Sequence, residues 1–436
     1  MGNFTKNNKT IVAITLFVLF VIFFSMGDTF QKQRNHSKTE LFNSSDVEKR
    51  SQRIKSKEFE LQKTEFAIEK LEFAIERKKK KNEDLDLENE KDRLEYERTK
   101  IEIEKLELER EQATKEKKTQ EEDLAKEKRD YNIIKEIVTD EGKIDVVYTW
   151  AGIIKTLNTR NRYNYELQFS LRSVHKYLPW ANNIYILMNP DKDYPYWIKE
   201  HEPGKIVVYD RCKLIDNPDH CPTGNNFAVF AGIHKIEGLT NKFLLFDDDM
   251  FINQPLKPDY FFTRKGLPRV FQKRKRMKIY KNNTEFTDIK RPTHKFALYT
   301  HIPSPMRRDF IVKFHQDYPE YEALVQSHYK RRYKALSEEF AMIYYEYFLE
   351  NNWLRHEKFS KGKFYQIPGK HRPDITKQFN RIYNDLTTKN INSFNCNDNF
   401  STDLETYNNQ KKVLLDFYMK LYPETPDYEI PNPVTE

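Results

Sequence analysis

The sequence predicts an α/β head built on a mostly parallel sheet, and it places a long charged helical segment ahead of that head. Three observations lead to this fold class. Short apolar runs at 144–150, 184–188, 206–209 and 243–246 alternate with helical segments, which is typical of strands joined by crossovers. An uninterrupted charged stretch precedes them, and an apolar run lies near the amino terminus.

The amino-terminal run at residues 11–26 is mostly apolar and carries no charge, which predicts a transmembrane signal anchor. A cleaved signal peptide is the alternative, with Ser25 and Gly27 as small residues before a cut. With the anchor retained, residues 1–10 form a cytosolic tail and residues 27–46 a linker. The chain is then expected to be a single-pass type II membrane protein, with its head in the lumen of the Golgi or another secretory compartment.

Residues 47–131 contain no proline or glycine and are dominated by Glu, Lys, Leu and Arg, which predicts a helical stalk. Apolar residues recur there at intervals of seven in two sets that are out of phase: Leu61, Ile68 and Ile75, and then Leu87, Leu94, Ile101 and Leu108. A coiled coil needs a second apolar position in each heptad, and the sequence keeps that position poorly. The stalk is either a homodimeric coiled coil or a single helix with Glu–Lys pairs, on the order of 100 Å long.

The head at residues 132–436 contains one stretch that indicates a metal-binding or catalytic site. Residues 243–246 are apolar and predict a buried strand, and Asp247, Asp248 and Asp249 follow it directly. Adjacent carboxylates repel one another unless a cation neutralises them, and Mg²⁺ is typically held by one or two carboxylates together with substrate phosphates. Because open α/β sheets bind ligands at the carboxyl ends of their strands, we predict a Mg²⁺ or Mn²⁺ site for a diphosphate. An acidic surface turn is the alternative.

Charge and cysteine content bear on which classes of binding partner and which redox compartment the sequence is compatible with. The net charge of +8 comes from widely spread Lys and Arg, so a nucleic-acid partner does not follow, and anionic nucleotide-sugars fit equally well. The three cysteines, Cys212, Cys221 and Cys396, have neither zinc-site spacing nor the number of a disulfide framework. A Cys212–Cys221 disulfide would form in an oxidising lumen.

Four blocks of the head, in order, resemble the Stealth family, which includes the lysosomal-enzyme GlcNAc-1-phosphotransferase and bacterial capsule hexose-1-phosphate transferases. The similar blocks are residues 144–150; residues 166–180 continuing through 222–226 and 238–239 to 246–251; residues 301–303 with the helix after Arg332; and residues 394–399. Residues 421–424 with Tyr428 and Glu429 are similar to the end of the family's pattern. Two departures are that Ala151-Gly152 replaces a polar-glycine turn and that Phe230 stands where the family often has Glu.

The resemblance implies a nucleotide-sugar-transferase-like (GT-A-like) head that transfers a hexose-1-phosphate, such as GlcNAc-1-phosphate from UDP-GlcNAc, to a hydroxyl of a glycan or glycoprotein. It implies that Asp248, Asp249 and Asp398 hold the metal, that His301 takes the acceptor proton, and that Arg332 or Lys334 meets the transferred phosphate. The residues assigned to substrate are Asp145, Arg172, Asn225, Asn226 and Asn397. Two alternatives remain: an ordinary metal-dependent glycosyltransferase, and a non-catalytic coiled-coil tether with a decayed head.

Overall fold

The computed structural model describes residues 41–83, 85, 89–152, 162–192, 194–199, 205–271, 302–327, 344–345, 347–348, 351–357, 361–367 and 374–430. The contacts within the chain divide it into two compact units. The helical unit comprises Phe42–Lys143 and Gly232–Asn241, and the head is built from Ile144–Ala231 and the chain from Lys242 onward.

Two long antiparallel helices form most of the helical unit, α1 (Ser44–Glu83) and α2 (Glu90–Val138). Their direction follows from the ion pairs between them, because the start of α1 pairs with the end of α2 and the end of α1 with its start. Arg50 lies 3.1 Å from Glu127, and Lys81 lies 2.6 Å from Glu95. The apolar side chains buried along this pair include Ile54, Ile75, Ile103 and Leu124.

The helical segment is therefore a hairpin, whereas the sequence led us to expect one continuous helix. Asn89 accounts for the restart of the chain as a second helix, because its side chain accepts a hydrogen bond from the backbone N–H of Lys91 and caps α2. With 49 residues, α2 extends only roughly 70 Å. Ile54 and Ile75 of α1 are buried within the hairpin.

The predicted transmembrane helix requires a correction. Across the described residues, the structure contains no helix with the length and apolar character needed to cross a membrane. The two longest described helices, α1 and α2, are charged throughout. Residues 11–26, on which the prediction was based, lie outside the described residues.

Ten strands of the head are described: β1 (Ile144–Thr149), β2 (Ile184–Met188), β3 (Ile206–Asp210), β4 (Lys242–Asp247), β5 (Met250–Ile252), β6 (Arg269–Phe271), β7 (Ser304–Arg307), β8 (Arg355–Glu357), β9 (Gly362–Ile367) and β10 (Ser393–Asp398). The main sheet has the order β3-β2-β1-β4-β7. Its first three pairings are parallel and β7 runs antiparallel to β4. The sheet is mostly parallel, as the sequence predicted, and the two central strands are almost fully buried.

The helices of the head that are described are α3 (Glu166–Tyr177), α4 (Asn226–Ala231), α5 (Pro258–Phe261), α6 (Arg308–Asp317), α7 (Glu320–Ser327), α8 (Thr376–Thr388) and α9 (Leu404–Leu421). Short 3₁₀ turns occupy Arg211–Leu214 and Pro218–His220, and the Cys212–Cys221 disulfide considered from the sequence links the first turn to the residue that follows the second.

A second sheet of order β5-β10-β9 packs through aromatic side chains and completes the core. The Phe251 ring lies 4.9 Å from those of Phe394 and Tyr418 and 6.1 Å from that of Tyr422, measured between centroids. These contacts fix β5 against β10 and α9. Because only Asp248 and Asp249 separate β4 from β5, the acidic turn lies at the junction of the two sheets.

Candidate active site

A cleft of about 260 Å³ opens at the carboxyl ends of β1 and β4. Its walls come from the turn after β1, the start of α3, the start of α4, the acidic turn and the end of β10. The lining residues are Thr149, Trp150, Ala151, Gly152, Arg162, Tyr163, Glu166, Asn226, Asp247, Asp248, Asp249, Cys396 and Asn397. This position is the one at which α/β sheets bind ligands.

The acidic turn supplies three half-buried carboxylates to the cleft. Asp247 ends β4 opposite Thr149 of β1, and the Thr149 hydroxyl donates to Asp247 Oδ1 at 3.4 Å. A buried network supports the turn from below: the hydroxyls of Tyr148 and Ser170 lie 2.8 Å apart, and Ser170 donates to the Met250 carbonyl. Burial raises the pKa of the Tyr148 phenol, which keeps it protonated.

The end of β10 lies beside the acidic turn. The backbone N–H of Cys396 donates to the Asp249 carbonyl at 3.3 Å, and Asn397 lines the same cleft. The structure thus brings together Asp248, Asp249, Asn226 and Asn397, four of the residues assigned to the site. Asp398 is the last residue of β10, and its side chain lies outside what the structure describes.

His301, Arg332 and Lys334 also lie outside the described residues, so their proposed roles in proton transfer and phosphate binding stay predictions.

Asp145 does not fit the substrate-binding role that was assigned to it. It lies near the amino end of β1, whereas the cleft is at the carboxyl end. Its side chain is fully buried, and Oδ1 accepts hydrogen bonds from the Asn182 side chain at 2.8 Å and from the Asn183 backbone N–H at 2.9 Å. The carboxylate therefore ties β1 to the segment that leads into β2, which is a structural role.

Arg172 is also structural, contrary to its assignment to substrate. It lies on α3 with its guanidinium buried against Glu429: Nη2 is 2.6 Å from one carboxylate oxygen, and the two side chains are 3% and 0% exposed. Nη1 donates to the Tyr422 carbonyl at 3.1 Å. Burial raises the pKa of Glu429, and Arg172 opposes that shift. The pair joins α3 to the carboxyl-terminal segment.

Asn225 borders the site without lining the cleft. Its side chain accepts a hydrogen bond from the backbone N–H of Phe227 at 3.0 Å, at the start of α4. This contact places the neighbouring residue, Asn226, in the wall of the cleft. The role of Asn225 is therefore to hold the start of α4, and the direct contact predicted between Asn225 and substrate is not supported by this geometry.

Two arginines at the site were not among the predicted residues. Arg162 lines the cleft, donates to the carbonyls of Phe400 and Ser401 at 3.1 and 2.8 Å, and stacks on the Tyr407 ring at 4.1 Å. It stands four residues before the second block that resembles the Stealth family, and this proximity was the available sequence signal.

Arg211, at the carboxyl end of β3, is 3% exposed. It donates to Asn189 Oδ1 at 2.8 Å, to the Thr223 carbonyl, and to Asn226 Oδ1 at 3.5 Å. Burial lowers its pKa to about 10, and Asp191 opposes that shift, so the guanidinium stays charged at neutral pH.

The donor set of the cleft fits a hard divalent cation. Asp247, Asp248, Asp249 and Glu166 bring four carboxylates to the wall, against the single guanidinium of Arg162 among the lining residues. Within the described part of the chain, the three aspartates do not gather three carboxylate oxygens within 4.8 Å of one another. The turn therefore suits a cation held by one or two carboxylates and completed by ligand phosphates, as is typical of Mg²⁺.

The chain is therefore an α/β protein whose mostly parallel sheet has an acidic, amide-lined cleft at its strand ends. Such a cleft suits a polar ligand that binds together with a cation. Residues 160–270, which include most of the cleft wall, match the family described as Stealth protein CR2, conserved region 2. This match confirms the resemblance to the Stealth family that was drawn from the sequence blocks.

Curated relatives are named as polysaccharide phosphotransferases. The chain is 30% identical over 282 residues to an exopolysaccharide phosphotransferase of Streptomyces coelicolor, which covers 61% of this chain and 49% of the relative. It is 27% identical over 333 residues to a capsular polysaccharide phosphotransferase of Actinobacillus suis, covering 66% of this chain and 85% of the relative. The chain spans about half the length of the first of these relatives.

Among solved structures, a galactosyltransferase in complex with donor and acceptor sugar analogues covers 65% of this chain and 98% of its own. The TM-score is 0.34 and the sequence identity is 11%. The GT-A-like character of the head stays a prediction.

Proposed function

We propose that the head is a sugar-phosphate transferase that moves a hexose-1-phosphate from a nucleotide-sugar to a hydroxyl of a glycan. The observation that carries the proposal is the acidic cleft, because its carboxylates and amides lie at the strand ends inside the region that matches the Stealth family. The names of the curated relatives support the same reaction class.

In this reaction the acceptor oxygen forms a bond to the phosphorus that carries the donor sugar, and the bond from that phosphorus to the bridging oxygen breaks. The nucleoside monophosphate leaves with the bridging oxygen, and the acceptor's proton passes to a base, the role predicted for His301. Such chemistry needs positioning and charge neutralisation more than covalent catalysis. Asp248 and Asp249 would hold Mg²⁺ or Mn²⁺, which would neutralise the diphosphate, and Asn226 and Asn397 would orient the donor.

The test is to incubate the protein with a panel of nucleotide-sugars, a glycan acceptor and Mg²⁺, and to identify the nucleotide released. A nucleoside monophosphate together with a phosphodiester product supports the proposal. Release of a nucleoside diphosphate with a plain glycoside would instead identify an ordinary glycosyltransferase. Absence of both nucleotide-sugar binding and divalent-cation binding would favour a non-catalytic head.

The substitution Asp249→Asn tests whether the Asp249 carboxylate holds the divalent cation. We expect a loss of roughly 100-fold or more in transfer, because preorganised charge stabilisation is removed from the reacting phosphates. Asp259→Asn is the matched control, since Asp259 is an exposed aspartate on α5 and does not line the cleft. Titration with Mn²⁺ in the presence of nucleotide provides a readout separate from activity. Full activity of Asp249→Asn would remove the carboxylate from the mechanism.

A further inference from the structure

Two stripes of apolar side chains are exposed on the helical hairpin. On α1 the side chains of Phe59, Phe66 and Phe73 are 58%, 57% and 68% exposed, and on α2 those of Leu94, Ile101 and Leu108 are 60%, 54% and 56% exposed. Single exposed apolar residues are ordinary on protein surfaces. Residues that recur every seven positions, however, lie along one side of a helix, so each set forms a continuous stripe.

Each stripe lies on the side of its helix that faces away from the partner helix within the hairpin. Ile101 precedes the buried Ile103 by two residues, and Phe73 precedes the buried Ile75 by two. At about 100° per residue, a step of two residues leads to the opposite side of an α-helix. The packing within the hairpin therefore leaves both stripes outside.

The two stripes differ in their surroundings. Ammonium groups lie over two of the three phenylalanines, with Lys63 Nζ 4.5 Å from the Phe59 ring and Lys70 Nζ 4.3 Å from the Phe66 ring. These cation–π contacts partly satisfy the Phe stripe within its own helix. The second set, which we call the Leu–Ile–Leu stripe (Leu94, Ile101 and Leu108), has aliphatic side chains that cannot make such contacts.

Lines of opposite charge run along the two sides of the Leu–Ile–Leu stripe. Residues three after and four before its members form an acidic line of Glu90, Glu97, Glu104 and Glu111. Residues three before and four after form a line of Lys91, Arg98, Lys105 and Gln112, which is basic over its first three positions. Between Lys91 and Lys105 the stripe is therefore an apolar seam with one acidic and one basic border.

We propose that the Leu–Ile–Leu stripe is a self-association surface, on which α2 of a second copy of this chain docks in parallel. When two helices face each other in parallel, the left border of one lies opposite the right border of the other. Glu97 and Glu104 of one copy then face Arg98 and Lys105 of the other, and the reverse holds by symmetry. An antiparallel arrangement would place glutamates opposite glutamates, so charge complementarity selects the parallel one.

The size of the seam sets the strength of the association. Residues 90–111 span roughly 33 Å of helix, with one apolar residue per heptad at the centre. A stable interface usually buries about 1,200–2,000 Å² in total, which three aliphatic side chains per copy do not reach without their charged borders. The dimer is therefore reversible, and its population depends on concentration and on salt.

Sedimentation velocity of the full chain between about 1 and 100 μM tests the proposal in the affinity range of weak interfaces. We expect a monomer–dimer equilibrium that the triple substitution Leu94→Gln, Ile101→Gln and Leu108→Gln abolishes, with unchanged helical circular dichroism because all three positions are exposed. The matched control replaces Phe59, Phe66 and Phe73 by Gln and should dimerise as before. A monomeric wild-type chain, or association that survives the first triple substitution, would overturn the proposal.

The charged borders and the orientation are tested separately. The variants Glu97→Lys with Glu104→Lys, and Arg98→Glu with Lys105→Glu, should each be monomeric alone and should form a heterodimer when mixed. Orientation is read from cysteines: Leu94→Cys should form a disulfide with its own counterpart in a second copy. A mixed disulfide between Leu94→Cys and Leu108→Cys chains, in preference to the two self-pairs, would exclude the parallel arrangement.

Discussion

Removal of Arg172 tests whether the residue serves structure or substrate. Arg172→Met leaves Glu429 buried without its partner, at a position where the carboxylate side chain is 0% exposed. The substitution also removes the hydrogen bond from Nη1 to the Tyr422 carbonyl. Because breaking a buried ion pair by deleting one partner typically costs about 3–5 kcal/mol, we expect a loss of that size in the free energy of unfolding of the head.

The assay is guanidinium unfolding followed by tryptophan fluorescence, which reports on the head alone because Trp150, Trp180, Trp197 and Trp353 all lie in it. Lys176→Met on the same helix is the matched control, because its nearest carboxylate is an exposed Glu424 at 4.0 Å. The control should change stability by less than about 0.5 kcal/mol.

The same variant predicts a pH dependence with a definite sign. Burial already raises the pKa of Glu429, and loss of Arg172 removes a group that lowers it. A carboxyl group with a raised pKa binds its proton more readily in the folded state, so stability falls as pH rises from the unfolded pKa of about 4.3 through the folded pKa. The deficit of Arg172→Met should therefore be largest at neutral pH and shrink toward pH about 4. A loss below about 1 kcal/mol together with a weaker affinity for nucleotide-sugar would refute the structural assignment.

Three further predictions concern the head. Both amide atoms of Asn395 are buried and have no hydrogen-bond partner among the residues that the structure describes. Asn395→Leu should therefore raise the unfolding free energy by roughly 1–3 kcal/mol, and an unchanged or lower thermal midpoint would contradict this. Gly152 has φ +83° and a Cβ there would lie 2.7 Å from Lys192 Cβ, so Gly152→Ala should lower the thermal midpoint, and an unchanged midpoint would show that no strain arises. Replacing Cys212 and Cys221 by Ser should lower the free energy of unfolding by about 2–3 kcal/mol, because the unfolded chain gains loop entropy; chemical unfolding measures this. Equal stability would argue against a formed disulfide, and non-reducing peptide mapping checks the disulfide directly.

The strands of the main sheet could be predicted from the sequence because burial on both faces leaves a continuous apolar signature. The runs at 184–188 and 243–246 agree with β2 and β4 to within one residue at each end. The acidic turn could be predicted for the same reason, since three carboxylates directly after a buried strand must lie at the edge of the sheet. No local pattern indicates that Asn397, about 150 residues later, lies beside the acidic turn. Only the resemblance to the Stealth family placed both in one site.

The structural roles of Arg172 and Asp145 could not be predicted, because their partners are set by tertiary packing. Glu429 lies 257 residues from Arg172, and no local pattern marks the pair. The hairpin was also missed, although a signal was present. In the described residues the first heptad set lies in α1, and Leu94, Ile101 and Leu108 of the second set lie in α2. Asn89, just before α2, is a residue that favours helix starts.

A series of hydrogen bonds around the cleft runs in one direction, from the buried guanidinium of Arg211 to the acidic turn. Arg211 donates to Asn226, the Asn226 amide donates to the Thr149 hydroxyl, and that hydroxyl donates to Asp247, with contacts of 3.5, 3.5 and 3.4 Å. Each donor points toward the carboxylates, so these contacts orient Asp247 at the cleft while the guanidinium is not among the lining residues. The acidic turn therefore favours a bound cation. Arg162, which also lines the cleft, is a positive group that suits the anionic part of a ligand. A ligand that carries phosphate oxygens together with a divalent metal matches both features, whereas a neutral sugar alone matches neither.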